Sequence, residues 1–167
     1  MSEELGVETI ESLVEKLRLT EVVYYGVGAK LRADDAPFES PEGEYSTDFG
    51  FRTRHIGIEF GARLTVEVHA EQGDVTVDIA CEYVSDAPLR IPREVAYEFV
   101  NNVTLMQAFP YVREAVMTLT SRVFRSPLLL PVLLRGALSF SSDGDGPDVS
   151  DGAAALAAQE AAEDGVS

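Results

Sequence analysis

The sequence has few of the residues that mark secreted, metal-binding or membrane proteins. Its 167 residues include no tryptophan, one cysteine (Cys81) and two histidines. A single cysteine excludes an internal disulfide and fits a reducing compartment. The acidic N-terminus has neither a basic start nor an apolar centre, so we predict no signal peptide and a cytoplasmic location.

Long hydrophobic runs are also missing. The most apolar stretch, residues 123–140, is interrupted by Arg125, Pro127, Pro131 and Arg135. A transmembrane helix needs about 20 predominantly apolar residues, so we predict no membrane insertion.

Basic residues are scarce, with 13 Lys and Arg against 29 Asp and Glu and a net charge of −16. Residues 141–167 hold seven of the acids and no base, which leaves 22 acids and 13 bases, or −9, on the rest. This balance repels phosphates and argues against nucleic-acid binding. It fits a basic partner protein, and it equally fits simple solubility.

Hydrophobic periodicity divides the chain into three parts. Residues 1–19 carry an amphipathic helix over 7–18, residues 20–140 form the folded domain, and residues 141–167 are predicted to be an acidic disordered tail. In the domain, alternating and β-branched patterns predict four strands. These cover residues 21–32, 49–60, 62–70 and 74–84. Gly26 and Gly28 in the first strand suggest a bulge or a close backbone approach.

The last two strands flank the turn EQGD and alternate clearly between a buried and a solvent-facing side. The predicted buried side carries Leu64, Val66, Val68, Val75, Val77, Ile79 and Cys81. The predicted solvent side carries Thr65, Glu67, His69, Thr76, Asp78, Ala80 and Glu82. No helix separates these strands, so the sheet should be antiparallel.

Helical periodicity returns after the strands, over residues 93–109 and 110–124. Because proline is unfavourable inside a helix and welcome in its first turn, Pro110 is predicted to start the second of two helices. Strands followed by helices predict an α+β fold, with a four-stranded antiparallel sheet covered by helices on one face.

The sequence carries no enzyme signature: it has no Ser-His-Asp set, phosphate-binding glycine loop or metalloprotease helix. His69 lies near Glu67 on the solvent side, but a zinc site needs three or four ligands, so we expect polar sheet residues and neither metal nor cofactor. Cys81 is expected to pack as a small apolar residue.

Two surface features remain. Glu67, Asp78 and Glu82 can form one acidic patch on the solvent side of the sheet, available to a basic partner. Apolar residues also exceed what one sheet face and two helices would cover, which favours an oligomer interface or an exposed binding groove. The excess includes Phe99, Met106, Phe109, Phe124 and the run PLLLPVLL.

Residues 109–132, FPYVREAVMTLTSRVFRSPLLLPV, resemble the SecB protein-export chaperones. They share a Phe-Pro-Tyr-x-Arg-Glu helix start, a Ser-Arg helix end and a Leu-rich stretch ending in Pro-Val. The order of strands and helices agrees with the family layout over residues 20–140.

The resemblance implies an ATP-independent holdase that forms a dimer of dimers, binds unfolded preproteins and delivers them to the SecA motor. Groove candidates for client binding are Tyr97, Phe99, Met106, Phe109 and Leu128. Asp78 resembles the family's acidic contact to SecA, with Glu67 and Glu82 as its inferred neighbours.

Three departures from the family leave the subtype open. The second C-terminal helix breaks after Pro131, the N-terminus looks helical, and SDAPLRIP replaces a more apolar turn. The extended N-terminus resembles SecB-like chaperones that shield the antitoxin of a toxin–antitoxin system. A module that binds a small ligand between sheet and helices is the alternative from a different class.

Overall fold

The computed structural model describes residues 4–34, 36–38 and 44–141. Its centre is a four-stranded antiparallel sheet in the order β2-β5-β4-β3. The strands are β2 (Arg18–Leu31), β3 (Tyr45–Ile56), β4 (Glu59–Ala70) and β5 (Gly73–Val84). β3, β4 and β5 form a meander, while β2 lies beside β5 and the chain crosses over to reach β3. The α+β prediction and the antiparallel sheet are therefore confirmed.

The N-terminal segment packs against the part of the chain that follows β5. A short strand β1 (Leu5–Gly6) pairs in parallel with β6 (Leu89–Arg90), and helix α1 (Ile10–Lys16) follows. The Thr9 side chain accepts a hydrogen bond from the backbone N–H of Ser12, which caps the start of α1. The helix is shorter than the predicted 7–18, and Leu13 anchors it in the core.

The sheet has one buried face, as its alternation predicts. Val66, Val77 and Ile79 are completely buried, whereas Glu67 and Thr76, which face each other across β4 and β5, are exposed. The predicted turn between β4 and β5 is present. An added Cβ at Gly73 would lie 2.1 Å from the Lys30 carbonyl oxygen, so only glycine fits where β2 approaches this turn.

Helix α2 (Arg93–Phe99) and helix α3 (Leu105–Val123) cover the buried face and are joined by a π-helical turn, Val100–Thr104. The prediction that Pro110 starts a new helix is wrong, because Pro110 lies inside α3. Phe109 and Val112 on either side of it continue one buried stripe. Proline has no N–H to donate to the Met106 carbonyl, four residues earlier in the helix. Because Pro110 is exposed, water can hydrogen-bond to that carbonyl instead. Burial of that continuous stripe outweighs the local cost of proline.

Residues 124–141, all of which the structure describes, contain no helix or strand. Side chains of the helices hold this segment through its backbone. Asn101 donates to the Phe140 carbonyl at 2.9 Å and accepts from the Phe140 N–H at 2.8 Å, and Arg113 donates to the Leu130 carbonyl at 2.7 Å. The helix expected after Pro131-Val132, predicted to break after one or two turns, is thus not formed over the described residues 132–141. The rest of the predicted tail, beyond Ser141, lies outside the described residues.

Candidate client-binding surface and outer sheet face

The inner face of edge strand β2 is only partly covered by helices. Tyr24, Val27 and Leu31 lie opposite Ile79, Val77 and Gly73 of β5, on the side of the sheet that carries the core. Nevertheless they are 41, 50 and 57% exposed. Within the described chain no strand pairs with the outer edge of β2, so backbone groups along it are free to bind an extended segment.

Helix α3 runs alongside β2 and sets one wall of this surface. Near one end, the Tyr24 hydroxyl donates to the Tyr111 carbonyl at 3.2 Å. Burial, followed by the negative charge of Glu114, raises the pKa of Tyr24. Near the other end, the ring of Phe124 lies close to Gly73 and to the Lys30 backbone.

Two adjoining clefts, of about 340 and 500 Å³, continue the surface beyond Leu31. Both are lined by Phe38 and Phe124. Leu128 and Leu129 line the smaller cleft, and Leu31 lines the larger one. We use the term apolar strip for the exposed residues Tyr24, Val27, Leu31 and Leu129, together with Phe124, which lines both clefts but is only 9% exposed.

The five residues predicted to bind clients are not on one surface. Phe99 and Phe109 are core residues, each 1% exposed, and a client could reach them only if the helices left the sheet. Tyr97 and Met106 are partly buried against the core, with the Tyr97 ring 5.1 Å from the ring of Phe51. Only Leu128 borders the apolar strip.

Sequence reasoning missed Tyr24, Val27 and Leu31. Their pattern identified a strand but did not show that the strand lies at a sheet edge. Alternation alone assigns such residues to the core.

The three acids predicted to form a patch lie on the outer sheet face, but two of them are neutralised. Asp78 accepts two hydrogen bonds from Arg63, at 2.7 Å from Nε and 2.5 Å from Nη2. These bonds hold the pKa of Asp78 below its usual value. The Arg63 guanidinium also stacks on the Tyr25 ring, 4.1 Å from its centroid.

Glu82 is neutralised by Arg54, whose Nη2 lies 3.1 Å from Oε2. Two of the three acids are thus paired with arginines, and a role of this face in partner docking stays a prediction. The strand register places Arg54 of β3 and Arg63 of β4 on the same face as Asp78 and Glu82 of β5.

His69 forms the third cluster on the outer face. Its Nδ1 lies 2.8 Å from Asp74 Oδ1, and its Nε2 lies 3.1 Å from Asp48 Oδ2 and 3.9 Å from Glu67 Oε2. Partial burial alone would lower the pKa of His69, but the hydrogen bonds and charges of Asp74 and Asp48 raise it overall. Asp48 was missed at the sequence level, since only the register of β3 reveals it.

Known proteins resemble this chain in sequence and in fold. No protein-family model matches the sequence. The chain is 26% identical over 138 residues to the SecB-like chaperone SmegB of Mycolicibacterium smegmatis, which covers 83% of this chain and 90% of the relative. The fold is similar to that of the Mycobacterium tuberculosis SecB-like chaperone Rv1957, solved in complex with a ChAD peptide from the antitoxin HigA1.

That structural match has a TM-score of 0.61 at 17% identity and covers 74% of this chain and 92% of the other, so it supports the fold alone. Both comparisons are thus with SecB-like chaperones, one by sequence and one by fold. Among the described residues, no helix is long and apolar enough to cross a membrane.

Proposed function

We propose that this chain is an ATP-independent holdase that binds extended apolar segments of unfolded client proteins along the apolar strip. The observation that carries the proposal is the coincidence of exposed apolar side chains with an unpaired strand edge on β2. An extended client can pair its backbone with such an edge and place alternate side chains on the apolar surface. Neither contact requires a particular client sequence, as a holdase needs.

The client could be a preprotein delivered to SecA or an antitoxin. Delivery of preproteins to SecA would use an acidic outer face, and the ion pairs of Asp78 and Glu82 weaken that route. Support for an antitoxin as client comes from the relative Rv1957, which binds an antitoxin peptide. We therefore favour a client of the antitoxin class over SecA-dependent export.

Self-association competes for the same surface. A second copy that paired along β2 would cover Tyr24 and Val27, and further pairing would give the expected dimer of dimers. Clients would then have access mainly to the end of the apolar strip at Leu129, which is 60% exposed.

The decisive experiment combines aggregation suppression with the mass of the protein in solution. We expect the chain to suppress light scattering by a chemically unfolded model client. Leu129→Asp should abolish most of the suppression without changing the mass, whereas Val27→Asp should lower the mass if β2 is the subunit interface. Ile56→Asp is the matched control, because Ile56 is 63% exposed at the end of the opposite edge strand.

Two results would contradict the proposal, the first its holdase activity and the second its location on the apolar strip. One is the absence of suppression by the folded wild-type protein in excess over the client. The other is full suppression by a Leu129→Asp, Val27→Asp double variant that remains folded.

A further inference from the structure

Three potential metal ligands converge on the outer sheet face, on the side away from the apolar strip. Asp48 of β3 lies directly opposite Glu67 of β4, and His69 lies two residues further along β4 on the same face. The ligand atoms of these three side chains all lie within 4.8 Å of one another. A zinc ion holds its ligand atoms at about 2.1 Å, so side-chain rotations would have to bring these three atoms closer together.

The two carboxylates face each other directly, and His69 Nε2 lies 3.1 Å from Asp48 Oδ2 and 3.9 Å from Glu67 Oε2. Like charges directly opposite on neighbouring strands are destabilising. Their side chains are 60 and 52% exposed, and the His69 side chain is 34% exposed, so a hydrated ion can enter from solvent. A divalent cation between them would convert the repulsion into attraction.

The orientation of the imidazole is an independent observation that also points to a metal ion. The His69 Nδ1 is held by Asp74, which is not one of the three ligands, and the same Asp74 oxygen accepts a hydrogen bond from Arg32 at 2.8 Å. Nε2 is thereby directed at Asp48 and Glu67. Histidines that bind metals through one nitrogen usually donate the other N–H to a carboxylate in this way.

We propose that Asp48, Glu67 and His69 form a site for a divalent transition-metal ion of the zinc class, positioned by Asp74. One imidazole and two carboxylates suit such an ion, whereas Mg²⁺ and Ca²⁺ prefer oxygen ligands only. Three protein ligands leave a fourth position open to water. The site is separate from the apolar strip, so it goes beyond the proposed holdase function and stands independently of it.

The test titrates ZnCl₂ into the chelator-treated full-length protein by calorimetry and records histidine ¹H–¹⁵N spectra in parallel. We expect saturable binding of one ion per chain and a selective shift of His69 Nε2. His69→Gln and Glu67→Gln should each weaken binding by about tenfold or more, and Asp74→Asn by about tenfold through loss of orientation. MgCl₂ should produce no shift of His69.

His55→Gln is the matched control, since His55 lies on β3 away from this cluster and its Nε2 lies 3.2 Å from the Gly57 carbonyl oxygen. It should bind Zn²⁺ with wild-type affinity. Unchanged His69 signals at saturating Zn²⁺, or wild-type affinity in folded His69→Gln, would overturn the proposal. The wild-type spectra decide the matter even if a substitution impairs folding.

Discussion

Arg54 on β3 and Glu82 on β5 form an ion pair across the strand that separates them, with 3.1 Å between Nη2 and Oε2. The contact is possible because the intervening residue on β4 is Gly61, which is paired with both. A Cβ at position 61 would lie 2.6 Å from the Glu82 Oε2 atom. Because Gly61 has no side chain, the side chains of Arg54 and Glu82 can reach each other across β4.

Gly61→Ala is expected to displace the Glu82 carboxylate and separate it from Arg54. The coupling energy between Arg54→Gln and Glu82→Gln, from a double-mutant cycle of urea unfolding, should be favourable in the wild type. It should fall to about zero in the Gly61→Ala background. An unchanged coupling would mean that the carboxylate can reach Arg54 by another path.

Gly73→Ala is expected to destabilise the fold severely. Its Cβ would lie 2.1 Å from a backbone oxygen of Lys30 and 2.8 Å from the Phe124 ring, and backbone cannot move aside cheaply. Urea unfolding should show a loss of about 2 kcal/mol or more. Gly28→Ala on β2 is the control, because nothing lies within 4 Å of its added Cβ. A Gly73→Ala protein as stable as the Gly28→Ala protein would contradict the close approach.

The Asp78–Arg63 pair predicts a pH-dependent contribution to stability. Arg63 lowers the pKa of Asp78 in the folded state. The contribution is therefore present above the unfolded pKa of about 4 and is lost as the pH falls through the lower, folded value. At pH 7, Asp78→Asn should cost about 1 kcal/mol in unfolding free energy, and this cost should shrink towards zero in acid.

Asp86→Asn serves as the control for that titration. Asp86 is almost fully exposed and its contact to Arg18 is 3.9 Å long. Its substitution should change stability little at either pH. A cost of Asp78→Asn that stayed constant from pH 7 to pH 3 would show that the pair contributes by packing only.

Pro110→Ala is expected to stabilise the protein, which is unusual for removal of a proline. The alanine N–H can donate to the Met106 carbonyl, and the exposed position allows the substitution without a clash. Thermal and urea unfolding should show a gain of about 1–3 kcal/mol. A loss of stability would instead indicate that the proline bend is needed to keep α3 on the sheet.

The sheet was the most predictable part of the fold, and particular residues show why. Alternation in β4 and β5 identified the burial of Val66, Val77 and Ile79 correctly, because each strand has one wet face. Pro110 misled the helix prediction because its local preference is opposed by burial of Phe109 and Val112 in one stripe. Local patterns contain no information about that competition.

The candidate sites were less predictable, because they depend on strand order and register. Nothing in the sequence around Asp48 indicates that it faces Glu67, and nothing around Tyr24 indicates that it lies at an edge. The size and apolarity of Phe99 and Phe109 favour a role as groove residues. The same properties made them the centre of the core.

The bulge in β2 has a consequence for the face that each later residue occupies. The register shift between Tyr24 and Gly26 accommodates Tyr25 as an extra residue. If Tyr25 were part of a regular ladder, every later residue would exchange faces, and the inner side would present Gly26, Gly28 and Lys30. The extra residue Tyr25 thus keeps Val27 and Leu31 of the apolar strip on the inner face of the sheet. Its own ring lies over Arg63, so the same residue also contacts the ion pairs of the outer face.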